Sequence, residues 1–145
     1  MKNKKYPFNT LRYDDIVLGS RYSFRRVITG ALVNQFAKIS GDYSPLHMDE
    51  AYAKTTEWKG RILHGMLLAS FFSTLVGMLI PGKEALYLAQ NLQFKKPCRI
   101  NQKVTITGEV ISKSNATRTI ELRTIIRDES GATLVEGRAR VKVRA

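Results

Sequence analysis

Two side chains capable of acid–base chemistry stand five positions apart in the stretch Ser40-Gly41-Asp42-Tyr43-Ser44-Pro45-Leu46-His47. A carboxylate and an imidazole held around one water can activate it for attack and return its proton elsewhere. The spacing fits no regular element. On a helix it carries the two side chains well round the cylinder, and on a strand it puts them on opposite faces. Pro45 fixes its own φ, lacks an N–H and biases Ser44 toward extended backbone, while Gly41 permits a turn just ahead of the aspartate. The expectation is an irregular, constrained loop that presents Asp42 and His47 to one small molecule. Taken alone, the pair also admits a plainer reading, in which Asp42 caps a turn and His47 is a satisfied loop histidine.

A second feature bears on that choice. His64-Gly65 lies near the start of the stretch Ile62 to Pro81, ILHGMLLASFFSTLVGMLIP, which holds no formally charged residue. A helix beginning here presents unpaired backbone N–H groups and a partial positive charge at its start. Glycine at that point lets a ligand oxygen come close. The Gly65 N–H is thus an oxyanion donor in outline, suited to a thioester carbonyl as it becomes enolate-like. Beyond it, Leu67, Leu68, Phe71 and Phe72 offer apolar surface for an acyl channel. Acid–base pair, oxyanion donor and apolar channel together suit chemistry on an α,β-unsaturated acyl thioester.

The surrounding elements must position these groups. A strand is expected within Ile16 to Val27, with Tyr22 and Phe24 on one face. Thr29 offers an N-cap for a helix whose apolar stripe is Leu32, Val33, Phe36, Ala37 and Ile39. That helix stops at Ser40-Gly41 and delivers the chain to Asp42. Met48 to Arg61 reads as an excursion with a short helical turn near Glu50 to Lys54, and its Trp58 reads as a packing residue. The apolar stretch is long enough to cross a membrane. Its glycines, hydroxyls and terminal proline, and the strands that follow and need a core, favour a helix buried in protein. Those strands run Leu86 to Phe94, Lys103 to Ile111, Thr117 to Arg127 and Thr133 to Val143, with Asp128-Glu129-Ser130-Gly131 as a hairpin turn. On the last strand Arg138, Arg140, Lys142 and Arg144 share one face, which reads as a solvated outer surface. Strands that wrap one buried helix make an α+β arrangement.

The chain's 145 residues, 43% hydrophobic and 25% charged, suit one globular domain over 1–145 with a flexible arm over 1–10. A single cysteine, Cys98, can form neither an internal disulfide nor a structural zinc site, and it reads as a structural thiol in a reducing, cytoplasmic setting. No apolar run follows the basic N-terminus, so no signal peptide is expected there. Net charge is +12, with a pI of about 10.1, which points to an anionic partner or a generally cationic surface. No helix-turn-helix, zinc-finger or RNA-binding strand pattern is present, so nucleic acid is not expected.

Residues 36 to 81, read as Phe36-Ala37-x-Ile39-Ser40-Gly41-Asp42-x-Ser44-Pro45-Leu46-His47 and Ile62-Leu63-His64-Gly65-Met66-Leu67-Leu68-Ala69-Ser70, resemble the MaoC-type dehydratases, among them the (R)-specific enoyl-CoA hydratases. Tyr87-Leu88-x-Gln90-x-Leu92-x-Phe94-x-x-Pro97 is similar to the family's strand after the long helix. The resemblance implies a hot-dog fold, an antiparallel sheet wrapped around a long central helix, in a homodimer. It implies hydration of trans-2-enoyl thioesters, carried on coenzyme A or acyl carrier protein, with no cofactor and no metal. Asp42 and His47 would hold the catalytic water, Gly65 would supply the oxyanion N–H, and Ser73 would assist from the helix. One departure is Ser44, where many members carry asparagine. A non-catalytic acyl-thioester-binding module is the alternative reading.

Overall fold

The computed structural model describes residues 6–145. The strand β1 (Arg21–Val27) leads to Thr29, whose hydroxyl accepts the Leu32 N–H and starts α1 (Gly30–Ser40). Gly41 closes that helix at φ 77, a left-handed conformation that glycine takes without a Cβ penalty. The expected irregular loop is present over 41–44, but 45–48 form one helical turn, α2 (Pro45–Met48), with Pro45 at its first position. Proline is suited to that position, because its missing N–H would have no helical partner there. The excursion that follows contains α3 (Glu50–Thr55), capped by the Asp49 carboxylate, which accepts the Tyr52 N–H. Trp58 is half-buried and stands outside the main core cluster.

The apolar stretch forms α4 (Gly65–Thr74), widens to a π-helical turn over Leu75–Leu79, and ends at the cis Ile80–Pro81 bond. It is not apolar on every side. Leu67, Leu68, Phe71, Phe72, Leu75 and Val76 are buried, while Met66, Ser70, Ser73 and Thr74 form an exposed stripe. Among the described residues no helix is long and apolar enough to cross a membrane.

All strand pairings are antiparallel. The long strands β4 (Lys103–Ser114), β5 (Thr119–Asp128) and β6 (Thr133–Val143) form the middle of the sheet. β1 pairs with β4 at one side, and β2 (Ala85–Gln90) pairs with β6 at the other. The expected strand over Leu86 to Phe94 is divided. β2 pairs with Ala139–Val143, the register shifts between Tyr87 and Ala89, and the two-residue β3 (Gln93–Phe94) pairs farther along β6. Alternation governs β4 and β5 as the sequence requires: Val104, Ile106 and Val110, then Ile120, Leu122 and Ile126, point into the core with α4. Buried Thr124 accepts a hydrogen bond from Gln90 Nε2, and Gln90 Oε1 in turn accepts the Tyr87 hydroxyl. That network fixes β2 over β5.

The expected flexible arm over 1–10 falls partly on residues 1–5, outside the described part. From Asn9 onward the chain is held. Asn9 N–H donates to Met78 O, Leu11 N–H donates to Pro81 O, and Asn9 O accepts the Lys83 N–H.

The break between β2 and β3 sits over Gly137. Asn91 N–H donates to Arg138 O, and the Asn91 side-chain oxygen accepts the Arg138 N–H. A Cβ at Gly137 would lie 1.9 Å from the Asn91 backbone oxygen. Gly137→Ala is therefore expected to destabilise the protein by about 2–4 kcal/mol through forced backbone movement. The urea unfolding midpoint measures this, and an unchanged midpoint would contradict so close an approach.

Candidate active site

α1, α2 and the start of α4 bring three chemistry-bearing side chains together. Donor atoms of Asp42, His47 and His64 all lie within 4.8 Å of one another. His64 precedes Gly65 as the N-cap residue of α4, and its side chain is 2% exposed. His64 Nε2 lies 2.9 Å from Asp42 O, and a carbonyl only accepts, so the proton is on Nε2. The same nitrogen is 3.9 Å from Asp42 Oδ2. His64 Nδ1 is buried without a partner among the described residues.

His47 is oriented by similar logic. Its Nδ1 lies 2.9 Å from Ile62 O and donates to it, which leaves the lone pair on Nε2. The His47 and His64 rings lie 4.1 Å apart at 32°. Arg61 Nε donates to His47 O, and Arg61 Nη2 donates to Asn34 Oδ1 at 3.1 Å, tying α2 to α1. Asp42 is about half-exposed. Its Oδ1 accepts the Ser44 N–H at 3.0 Å, so the carboxylate does close a turn. Oδ2 remains available. The three groups could in principle hold a cation. His47 Nδ1 and His64 Nε2 each donate to a main-chain carbonyl, so each ring has one nitrogen left for a ligand.

Gly65 is the first residue of α4, and the His64 side chain makes no capping bond to the helix. The first N–H groups of a helix have no partner within it. A Cβ at Gly65 would lie 2.9 Å from the Phe94 ring, so glycine lets β3 close over the helix start.

A cavity of about 430 Å³ opens at this point, and His47, His64 and Gly65 line it. Leu63, Leu68, Cys98 and Val135 form its buried floor, while Met66, Phe94, Lys95 and Lys96 form its exposed rim. Of the expected channel residues, Leu68 lines the cavity. Leu67 and Phe71, four positions apart on α4, pack into the core instead. Phe71 carries the Arg26 guanidinium over its ring at 5.3 Å. Ser73 lies on the exposed stripe of α4, nine positions and roughly 14 Å of helix rise from His64. Ser44 contributes its backbone N–H, and its hydroxyl makes no hydrogen bond among the described residues. The sequence reading did not assign the roles of Ile62 O, Arg61 and the His64 ring, nor the lining from Phe94 to Cys98. An adjacent cue existed for His64 alone, beside Gly65.

The family model described as "MaoC like domain" matches residues 8–130. An (R)-specific enoyl-CoA hydratase of Aeromonas caviae is 40% identical over 87% of this chain and 94% of its own length. A second, from Rhodospirillum rubrum, is 38% identical over 92% of each chain. The solved structure of an R-hydratase from Pseudomonas aeruginosa superposes with a TM-score of 0.89, at 30% identity, covering 94% of this chain and 87% of the other. The fold is therefore the hot-dog fold, with the sheet curled around α4.

Burial pushes the Cys98 thiol up to about 11, with the Asp128 carboxylate adding to the shift. A raised value means less thiolate at any given pH, about one part in a thousand at pH 8. Native Cys98 is expected to react with iodoacetamide at pH 8 at least about 100-fold more slowly than in urea. Equal rates would show a thiol that is neither buried nor shifted.

Proposed function

This chain belongs to the MaoC-like dehydratase family, and from that premise we propose that it interconverts trans-2-enoyl and (R)-3-hydroxyacyl thioesters in fatty-acid metabolism. The observation that carries the mechanism is the placement of Asp42 and His47. Their donor atoms lie within 4.8 Å, a gap that one water spans with two hydrogen bonds of about 2.8 Å. His47 Nε2 bears a lone pair because Nδ1 is committed to Ile62 O. Asp42 Oδ2 is free because Oδ1 is committed to the Ser44 N–H. Each group therefore keeps one acceptor for a water.

In the hydration direction, water oxygen forms a bond to C3 as the C2=C3 π pair moves toward the thioester. The charge that develops on the carbonyl oxygen is stabilised by the Gly65 N–H at the positive end of α4. The proton taken from water returns to C2, and no atom is left over. Dehydration is the reverse. Ser44 serves as the tether of Asp42, and the cavity over Leu68 accepts the start of the acyl chain. Coenzyme A is the carrier supported by the (R)-specific enoyl-CoA hydratases at 40% and 38% identity. We place the protein in the cytoplasm as a homodimer. The exposed α4 stripe and half-exposed Leu86, Leu88 and Phe94 support the second copy. Ser73 and the deeper part of the acyl channel would belong to a cavity extended across that face.

Purified protein is expected to consume crotonyl-CoA, seen as loss of enoyl-thioester absorbance. Asp42→Asn and His47→Gln should each lower kcat/KM by about 10²–10⁴-fold with the fold unchanged. Gly65→Ala should fold, because the Phe94 ring is half-exposed and can yield, yet lose about 10²-fold as the methyl crowds the oxyanion position. Full activity in the Asp42 variant would remove the aspartate from the mechanism. No activity in the wild type would favour a thioester-binding module.

A further inference from the structure

The chain holds two histidines, and the structure sets them in opposite tautomers. His47 carries its proton on Nδ1, bonded to Ile62 O, and His64 carries its proton on Nε2, bonded to Asp42 O. His47 keeps its free nitrogen, Nε2, for a water. The free nitrogen of His64 is Nδ1, which is sealed from solvent and has no partner among the described residues. Neither nitrogen of His64 is open to exchange a proton with a bound acyl group, so it is not a second base.

The hydrogen bonds of the loop show what His64 does instead. Residues 41–44 are exposed, and nearly all their hydrogen bonds stay local. Gly41 N–H donates to Ala37 O, Asp42 N–H to Ser40 Oγ and Ser44 N–H to Asp42 Oδ1, while Ser44 O accepts the His47 and Met48 N–H groups. Among the described residues, the bond from His64 Nε2 to Asp42 O is the one that ties this loop to α4. The same nitrogen stands 3.9 Å from Asp42 Oδ2, beyond hydrogen-bond reach, so the tie runs through the main chain. The ring does the rest, packing against Phe36 at 4.9 Å and His47 at 4.1 Å.

We infer that His64 is a positioning residue for hydration. Its Nε2–H fixes the main chain of Asp42 and so aims the carboxylate, and its ring backs His47. The inference rests on the hydration reading and adds to it a residue that takes no proton from the substrate. Without the bond, the peptide after Asp42 is free to turn and swing the carboxylate away from His47. A misplacement of about 1 Å is enough to cost about 10²-fold in rate.

Glutamine places its Nε2 as many bonds from the backbone as histidine does, and methionine has the same length without the donor. His64→Gln should keep kcat on crotonyl-CoA within about fivefold of wild type. His64→Met should lose about 30–100-fold in kcat, with KM within about threefold. Thermal unfolding reads any purely structural role separately, and the methionine variant, with no polar atom to bury, should melt no lower than the glutamine variant. Equal kcat in the two variants, a loss confined to KM, or a loss that follows the melting temperature would overturn the inference. Long-range proton–nitrogen NMR of the wild type at about pH 8 should show one histidine of each tautomer. Any other pattern overturns the inference as well, and these spectra decide alone should both variants fail to fold. A wild type inert toward crotonyl-CoA refutes the hydration reading itself, a result distinguished from failure of the tie because both tautomers would still be present.

Discussion

The site depends on one part-buried hydrogen bond, from His64 Nε2 to the main-chain oxygen of Asp42 at 2.9 Å. It fastens the loop after α1 to the start of α4, across 22 positions of sequence. The His64 ring is also packed by Phe36 of α1 at 4.9 Å and by His47 of α2 at 4.1 Å. Three helices therefore converge on one imidazole. The arrangement has a cost. With the proton committed to Nε2, Nδ1 is a buried acceptor without a partner among the described residues, a loss of about 1–3 kcal/mol in general. The main-chain tie between loop and helix holds Asp42 beside His47 and His64, next to the cavity that His47, His64 and Gly65 line.

The sheet supplies what the helices cannot. β3 is two residues long, yet its Phe94 closes over Gly65, and the next three residues pass along the cavity to buried Cys98. That path exists because the chain breaks register after Tyr87 and re-pairs farther along β6, with Asn91 seated over Gly137. A straight strand over Leu86 to Phe94 would have carried Phe94 past the helix start. The irregularity is held by specific bonds, Tyr87 to Gln90 to Thr124 on one side and Asn91 to Arg138 on the other. Burial pushes the Tyr87 hydroxyl up to about 12, so it remains a neutral donor in that network at physiological pH.

The sequence made much of this legible wherever local chemistry decides the backbone. Thr29, Gly41 and the alternation of Val104, Ile106 and Val110 could be read correctly, because a cap, a left-handed turn and a half-buried strand each depend on near neighbours. The joining of Asp42 and His47 was also legible, but not its form. Pro45 was read as a helix breaker, and it starts α2 instead, since proline disrupts a helix only beyond its first turn. What stayed hidden is long-range. Nothing near His64 in the sequence announces that its ring meets Asp42 O, that Ile62 O orients His47, or that Phe94 to Cys98 reach the cavity. Charge was visible as a total and as the row from Arg138 to Arg144, but the opposition of Arg123 and Arg138 requires the β5–β6 register.

The two readings of Asp42, turn cap and chemical group, turn out to be compatible, and the reason bears on Ser44. A carboxylate has two oxygens. One closes the turn on the Ser44 N–H and the other lies 3.9 Å from His64 Nε2. Closing the turn fixes the carboxylate plane, so the free oxygen is aimed without help from a side chain at position 44. Any residue except proline supplies that N–H. Asparagine, where the family pattern carries it, adds a longer polar arm but is not needed to hold the aspartate. Exchange at position 44 should therefore leave the fold and the acid–base pair in place.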